Sequence, residues 1–108
     1  MSYKVITLSY FDKQAKRLVK KYPSLKQELI SLIESLQNNP TQGVGIGNNC
    51  FKIRIAIASK GKGKRGGARI ISHVHIDKEK VYLLSMYDKA EQENISDLQI
   101  KALLNLIH

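Results

Sequence analysis

Between Glu34 and Asp77 the chain carries no carboxylate, yet Lys52, Arg54, Lys60, Lys62, Lys64, Arg65 and Arg69 all fall inside that stretch. Cations gathered in an acid-free region suit phosphate. An arginine stays protonated at any working pH and offers planar paired donors, whereas a lysine is a compact, titratable charge. Like-charged neighbours disfavour the charged form of a lysine, so Lys52 is a candidate general base, and Arg54 and Arg69 are left to stabilise negative charge. The whole chain leans the same way, with 18 Lys and Arg against 9 Asp and Glu and a net charge of +9. Such a balance points to anionic partners rather than to an ordinary small-molecule metabolic enzyme.

Other residue types narrow the chemistry further. Cys50 is the single cysteine, so no internal disulfide and no CxxC pair exists, and the three histidines show no HExxH-type spacing. No metal and no other cofactor is therefore expected. The segment Ser59 to Gly67, SKGKGKRGG, holds four glycines and four cations. Glycine lets backbone approach a ligand closely, so Lys60, Lys62, Lys64 and Arg65 are candidate nucleic-acid contacts, but no GKS or GKT follows and a P-loop is excluded. His73 and His75 have a side-chain type suited to proton transfer, although strand histidines are often hydrogen-bonded without chemistry.

The elements that must position these groups follow from periodicity. Tyr3 to Leu8 alternates in the manner of a strand. Ser9 with Asp12 then resembles a helix start, and Phe11, Ala15, Leu18, Val19 and Tyr22 recur at helical spacing opposite Lys13, Lys16, Arg17, Lys20 and Lys21. Pro23 breaks this helix, and Ser24 with Gln27 forms a capping-box pattern before Leu25, Leu29, Leu32, Ile33 and Leu36. Asn38, Asn39 and Pro40 end the second helix, and the glycines and asparagines through Asn49 read as an exposed loop. A domain boundary there is disfavoured, because neither side alone could bury a core, so residues 1–108 are read as one domain.

From Phe51 the period becomes two: Phe51, Ile53, Ile55 and Ile57 on one face, Lys52, Arg54, Ala56 and Ala58 on the other. Cations presented from a strand are held more rigidly than cations on a loop. The next strand, Ala68 to Ile76, puts Arg69, Ile71, His73 and His75 on one face, so Arg69 joins Lys52 and Arg54 if the hairpin register allows. A turn at Asp77 to Lys80, a last strand Val81 to Tyr87, and a helix capped by Ser96 and Gln99 complete the order β-α-α-β-β-β-α. This predicts an α+β fold. A helical hairpin and a C-terminal helix pack on a small, antiparallel-rich, four-stranded sheet, with the uncovered sheet face as the working one.

The run KIRIAIASKGKGKRGGARIISHVHIDKEKVYLLSMYDKAEQENISDL, Lys52 to Leu98, resembles the C-terminal half of RelE/HigB-type toxins of the RelE/ParE superfamily. A basic strand, a GKGKRGG-type loop, an ARII-like strand and a YDKAE-like element occur there in the same order. The resemblance implies a RelE-like fold and the toxin of a type II toxin-antitoxin system that enters the ribosomal A site and cleaves messenger RNA without a metal. It further implies partnership with a cognate antitoxin protein, mRNA and the ribosome, and none with a membrane. RNA carries its own nucleophile, the ribose 2′-OH, beside the scissile phosphate. An enzyme must deprotonate it, stabilise the developing charge and protonate the leaving oxygen.

Within the resemblance Lys89 falls where relatives supply another basic residue near that phosphate, for the leaving group or for binding. The segment EQENISDL lacks the tyrosine that some relatives use, which makes Tyr87 and His73 or His75 the candidate substitutes; a tyrosine ending a strand can equally bury its ring and do no chemistry. Two other functions are the alternatives: a ParE-like toxin, which shares the superfamily fold but poisons a DNA topoisomerase and is opposed by Lys52, Arg54 and Arg69, and a non-catalytic nucleic-acid-binding module, for which the charge pattern suffices through phosphate contacts. No apolar stretch is long enough to span a bilayer or form a signal-peptide core, and a soluble cytoplasmic protein is expected.

Overall fold

A computed structural model describes residues 2–58 and 66–107. Strand β1 (Lys4–Thr7) leads into helix α1 (Ser9–Lys21), where Phe11 and Leu18 are buried and Ala15, Val19 and Tyr22 pack beside them, as the apolar stripe requires. Asp12 lies in the first turn, where a negative charge suits the helix dipole. Helix α2 (Leu25–Asn38) follows at once and buries Leu25, Leu29, Leu32 and Leu36. The expected side-chain cap from Ser24 does not form. The turn is tight enough that Leu25 N–H donates to Tyr22 O at 3.0 Å and Lys26 N–H to Pro23 O at 3.3 Å, so the backbone itself satisfies donors a cap would serve.

Five strands form the sheet, not the four expected from the sequence. The addition is β2 (Val44–Gly47), in the stretch read as loop, which pairs antiparallel with β3 (Cys50–Ile55). Asn48 and Asn49 join them, both with positive φ (55° and 57°), and Gly47 pairs directly with Cys50 across the two-residue loop. This is the turn geometry that matches the twist of a hairpin, and asparagine tolerates it. The four-residue VGIG lacks the β-branched alternation that marks a strand, so the signal was the Asn-Asn turn rather than the strand itself.

Strands β3, β4 (Ala68–His75) and β5 (Lys80–Asp88) run antiparallel, and β5 closes against β1 in parallel, giving the order β1-β5-β4-β3-β2. Helix α3 (Asp97–Asn105) begins at the predicted capping box: Gln99 N–H donates to Ser96 Oγ at 3.1 Å and Ser96 N–H to Gln99 Oε1 at 3.0 Å.

The helices do not share one face. Ile53, Ile70, Val74, Val81, Leu83 and Met86 meet α1 and α2 on one side of the sheet. Ile71, Leu84 and Tyr87 face the other side, where Ile95, Ile100 and Leu103 of the C-terminal segment cover them. Strand β5 is apolar on both faces, as a strand flanked on both sides must be, and a register shift opposite Ile71 and Ser72 leaves Leu84 without a partner and changes the phase of alternation. The face expected to be open is therefore partly covered by α3, and among the described residues the cations lie at the end that α3 leaves uncovered.

Candidate active site

Register decides which cations meet. Arg54 of β3 pairs directly with Arg69 of β4, and Lys52 pairs with Ile71, so all three project from the face that bears Ile71. Lys89 follows β5, and its N–H donates to Gly67 O at 3.2 Å, which draws the residue after β5 against the start of β4. Lys52, Arg54, Arg69 and Lys89 line one cleft of about 430 Å³, together with Glu93 and Asn94. Sequence reasoning named the four cations and missed the two remaining wall residues.

The cations differ in their surroundings. Arg69 is 4 % exposed, and its Nη1 donates to Ala68 O at 3.2 Å. Burial foremost, and then the charge of Arg54, pull its guanidinium below the usual arginine range. Arg54 and Lys89 are exposed, and half-buried Lys52 donates from Nζ to Asn94 Oδ1 at 2.9 Å. The cleft thus runs from a desolvated charge at its floor to solvated charges at its rim, and a phosphate entering it would meet its strongest electrostatic interaction deepest.

A strap made by residues 88–94 supplies one wall. Asp88, buried at its root, accepts from Tyr22 OH at 3.1 Å and from Ala90 N–H at 3.0 Å. Glu91 accepts from Arg17 at 2.8 and 3.3 Å and from Lys21 at 3.3 Å, tying the strap to α1. The Arg17 hydrogen bond above all holds the Glu91 carboxyl below the usual carboxylate range. Two of the cations that lie opposite the apolar stripe of α1 therefore anchor the site, a pairing 70 or more positions apart that no periodicity could reveal.

Tyr87 pairs with Arg69 across the sheet but is not among the residues lining the cleft. Its ring lies in the apolar cluster with Ile71, Leu84 and Ile95, 2 % exposed, and its hydroxyl has no hydrogen-bond partner among the described residues. Burial pushes the phenol up while the nearby Arg69 charge pulls it down. His73 lies elsewhere, four residues along β4 from Arg69 and so roughly 13 Å away. With His75, Asn48, Asn49, Leu104 and Ile107 it lines a separate cleft of about 310 Å³, where its Nδ1 is 3.6 Å from Cys50 Sγ. Burial pushes the Cys50 thiol up to about 11, the opposite of activation. Lys60, Lys62, Lys64 and Arg65 lie outside the described residues. Among the described residues no group of three or more His, Cys, Asp or Glu could hold a metal ion, and no helix is long and apolar enough to cross a membrane.

Comparison with known proteins matches this chain, over residues 5–107, to the family described as the RelE toxin of the RelE/RelB toxin-antitoxin system. Among solved structures, a double mutant of E. coli toxin RelE in the free state superposes with a TM-score of 0.65 at 15 % identity, covering 100 % of both chains. The isolated E. coli RelE toxin gives 0.54 at 18 % identity over 97 % of this chain and 99 % of its own. The intact E. coli RelBE toxin-antitoxin complex gives 0.50 at 20 % identity over 81 % of this chain and 96 % of its own. At these identities the structures establish the fold, and the family match spans nearly the whole sequence.

Proposed function

The chain belongs to the RelE toxin family, the toxin arm of toxin-antitoxin systems, and on that premise we propose that it cleaves messenger RNA on the ribosome without a metal. The observation that carries this reading is the single cleft in which cations from β3, β4 and the residues after β5 converge. In-line attack of a ribose 2′-OH on the adjacent phosphate builds negative charge on the phosphoryl oxygens, and preorganised donors aimed there lower the barrier. Arg69 and Arg54 hold and neutralise the phosphoryl oxygens, Lys52 binds beside them from its position on Asn94, and Lys89 donates a proton to the departing 5′-oxygen. The products are a 2′,3′-cyclic phosphate and a 5′-hydroxyl.

Tyr87 and His73, candidates from sequence, take lesser parts in this scheme. Tyr87 backs Arg69 from the apolar side, and His73 stands too far along β4 to reach the same phosphate. The same cleft is the natural target of a neutralising antitoxin bearing acidic side chains, and E. coli RelE, of the same fold, has been crystallised with its antitoxin. Ribosomes and mRNA as partners imply a cytoplasmic site of action.

Primer extension on a defined mRNA, with the purified protein and with or without programmed ribosomes, tests this. Cuts that require ribosomes and disappear in Lys52→Ala and Arg54→Ala are expected; an uncut message under both conditions would overturn the reading.

A further inference from the structure

We propose that Glu93 is the general base of the cleavage reaction, a role the sequence reading gave to Lys52; the inference rests on the RNA-cleavage reading above. Among the described residues six side chains line the cleft: four are cations, one is an amide, and Glu93 is the only carboxylate. An arginine does not give up its proton in a protein, so neither Arg54 nor Arg69 can accept one from a 2′-OH. Lys52 is already engaged as a hydrogen-bond donor to Asn94, the residue next to Glu93. A base must offer the hydroxyl a lone pair that no proton occupies, and among the described lining residues the Glu93 carboxylate supplies it.

The carboxylate is also unspent. Among the described residues it takes part in no salt bridge or hydrogen bond, although four cations share its cleft, whereas Glu91, two residues earlier, is tied by Arg17 and Lys21. The division of labour along the strap is physical: Glu91 anchors it to α1, Lys52 fixes it at Asn94, and Glu93 between those anchors stays open to a ligand. Glu93 and the Arg54–Arg69 pair line the same cleft, so a phosphate held by the arginines brings the ribose linked through its 3′-oxygen into the cleft that Glu93 walls.

The step balances. A Glu93 carboxylate oxygen takes the 2′-OH proton as the 2′-oxygen bonds to phosphorus; the bond from phosphorus to the 5′-oxygen breaks, and that oxygen takes a proton from the Lys89 ammonium. Glu93 then returns its proton to water and Lys89 regains one, leaving the cyclic phosphate and the 5′-hydroxyl.

Single-turnover cleavage of ribosome-bound mRNA by wild type, Glu93→Gln and Glu93→Asp, from acid to alkaline pH and with RNA affinity measured separately, tests the assignment. Glu93→Gln is expected to slow the chemical step by about 100-fold or more, to bind RNA as tightly as wild type or tighter because a negative charge is gone, and to lose the acid limb of the pH–rate profile. Glu93→Asp should keep the limb and recover part of the rate. Cleavage by Glu93→Gln within about threefold of wild type with the limb intact would mean that Glu93 only balances charge. A fall in melting temperature that tracks the lost activity would mean that it is structural, and either result overturns the proposal. Absence of wild-type cleavage would instead strike at the function itself.

Discussion

Arg69→Met should separate function from stability by destroying cleavage while raising the melting temperature. Arg69 is 4 % exposed and stands directly opposite Arg54. Its guanidinium is held below the usual range by burial first and by the Arg54 charge second. A base whose folded value is lowered holds its proton less tightly in the native state, so its charge opposes folding at every pH at which it is protonated. Like charges directly opposite one another cost about 0.2–1 kcal/mol, and replacing buried charge with apolar volume is often neutral or stabilising by about 1–4 kcal/mol. Against this stand the interactions the guanidinium gives up, the bond to Ala68 O among them, worth about 0.5–1.5 kcal/mol. Methionine keeps an unbranched side chain that can fill the space beside Tyr87. The balance is a gain of about 1 kcal/mol, which for a domain of this size raises the melting temperature by about 4 °C. Thermal unfolding followed by circular dichroism, alongside the primer-extension assay, reads both quantities. A melting temperature lowered by as much would refute the reasoning, for it would make the guanidinium a structural tie rather than a charge held in place for a ligand.

Three further outcomes follow from the same contacts. An added Cβ at Gly67 would lie 2.1 Å from Ile55 O, a backbone atom that cannot step aside without parting β3 from β4, so Gly67→Ala should destabilise by about 1–3 kcal/mol in urea titration and disturb Lys89, whose N–H rests on Gly67 O; a midpoint equal to wild type would show that the strands separate freely. Glu91 has a lowered folded value, so what it contributes is full above its unfolded value and is lost as pH falls through the folded one. Glu91→Gln should therefore be less stable than wild type at neutral pH, by at most about 1 kcal/mol for so exposed a pair, and equal to it in acid, as melting curves across pH would register. Cys50, with its thiol pushed up to about 11, should react with iodoacetamide at pH 8 about 100-fold more slowly in the native protein than in denaturant, and equal rates would contradict its burial.

Much of the architecture was legible because it repeats. The stripes of α1 and α2, the alternation of β3 and β4, and the Ser96–Gln99 box are local patterns with a single backbone solution, and each forms where the residues placed it. The exceptions share a cause: where the backbone satisfies itself, side-chain signals mislead. Ser24 is idle as a cap because the Tyr22–Pro23 turn already bonds its neighbours, and β2 exists because two asparagines accept positive φ, not because VGIG favours a strand.

The sequence by itself determined the chemistry on offer: an acid-free stretch of cations on alternating strand positions, and the motif order that the family match supports. Tertiary structure decided which of those groups meet. Pairing of Arg54 with Arg69 brought an exposed and a buried cation into one cleft, the C-terminal cover took Tyr87 into an apolar cluster, spacing along β4 set His73 apart, and a strap pinned to α1 by Arg17 and Lys21 carried Glu93 and Asn94 to the wall. Those placements rest on side chains tens of positions apart being brought within hydrogen-bond reach. Local periodicity carries no information about such distances; only the folded packing of sheet, helix and strap supplies it.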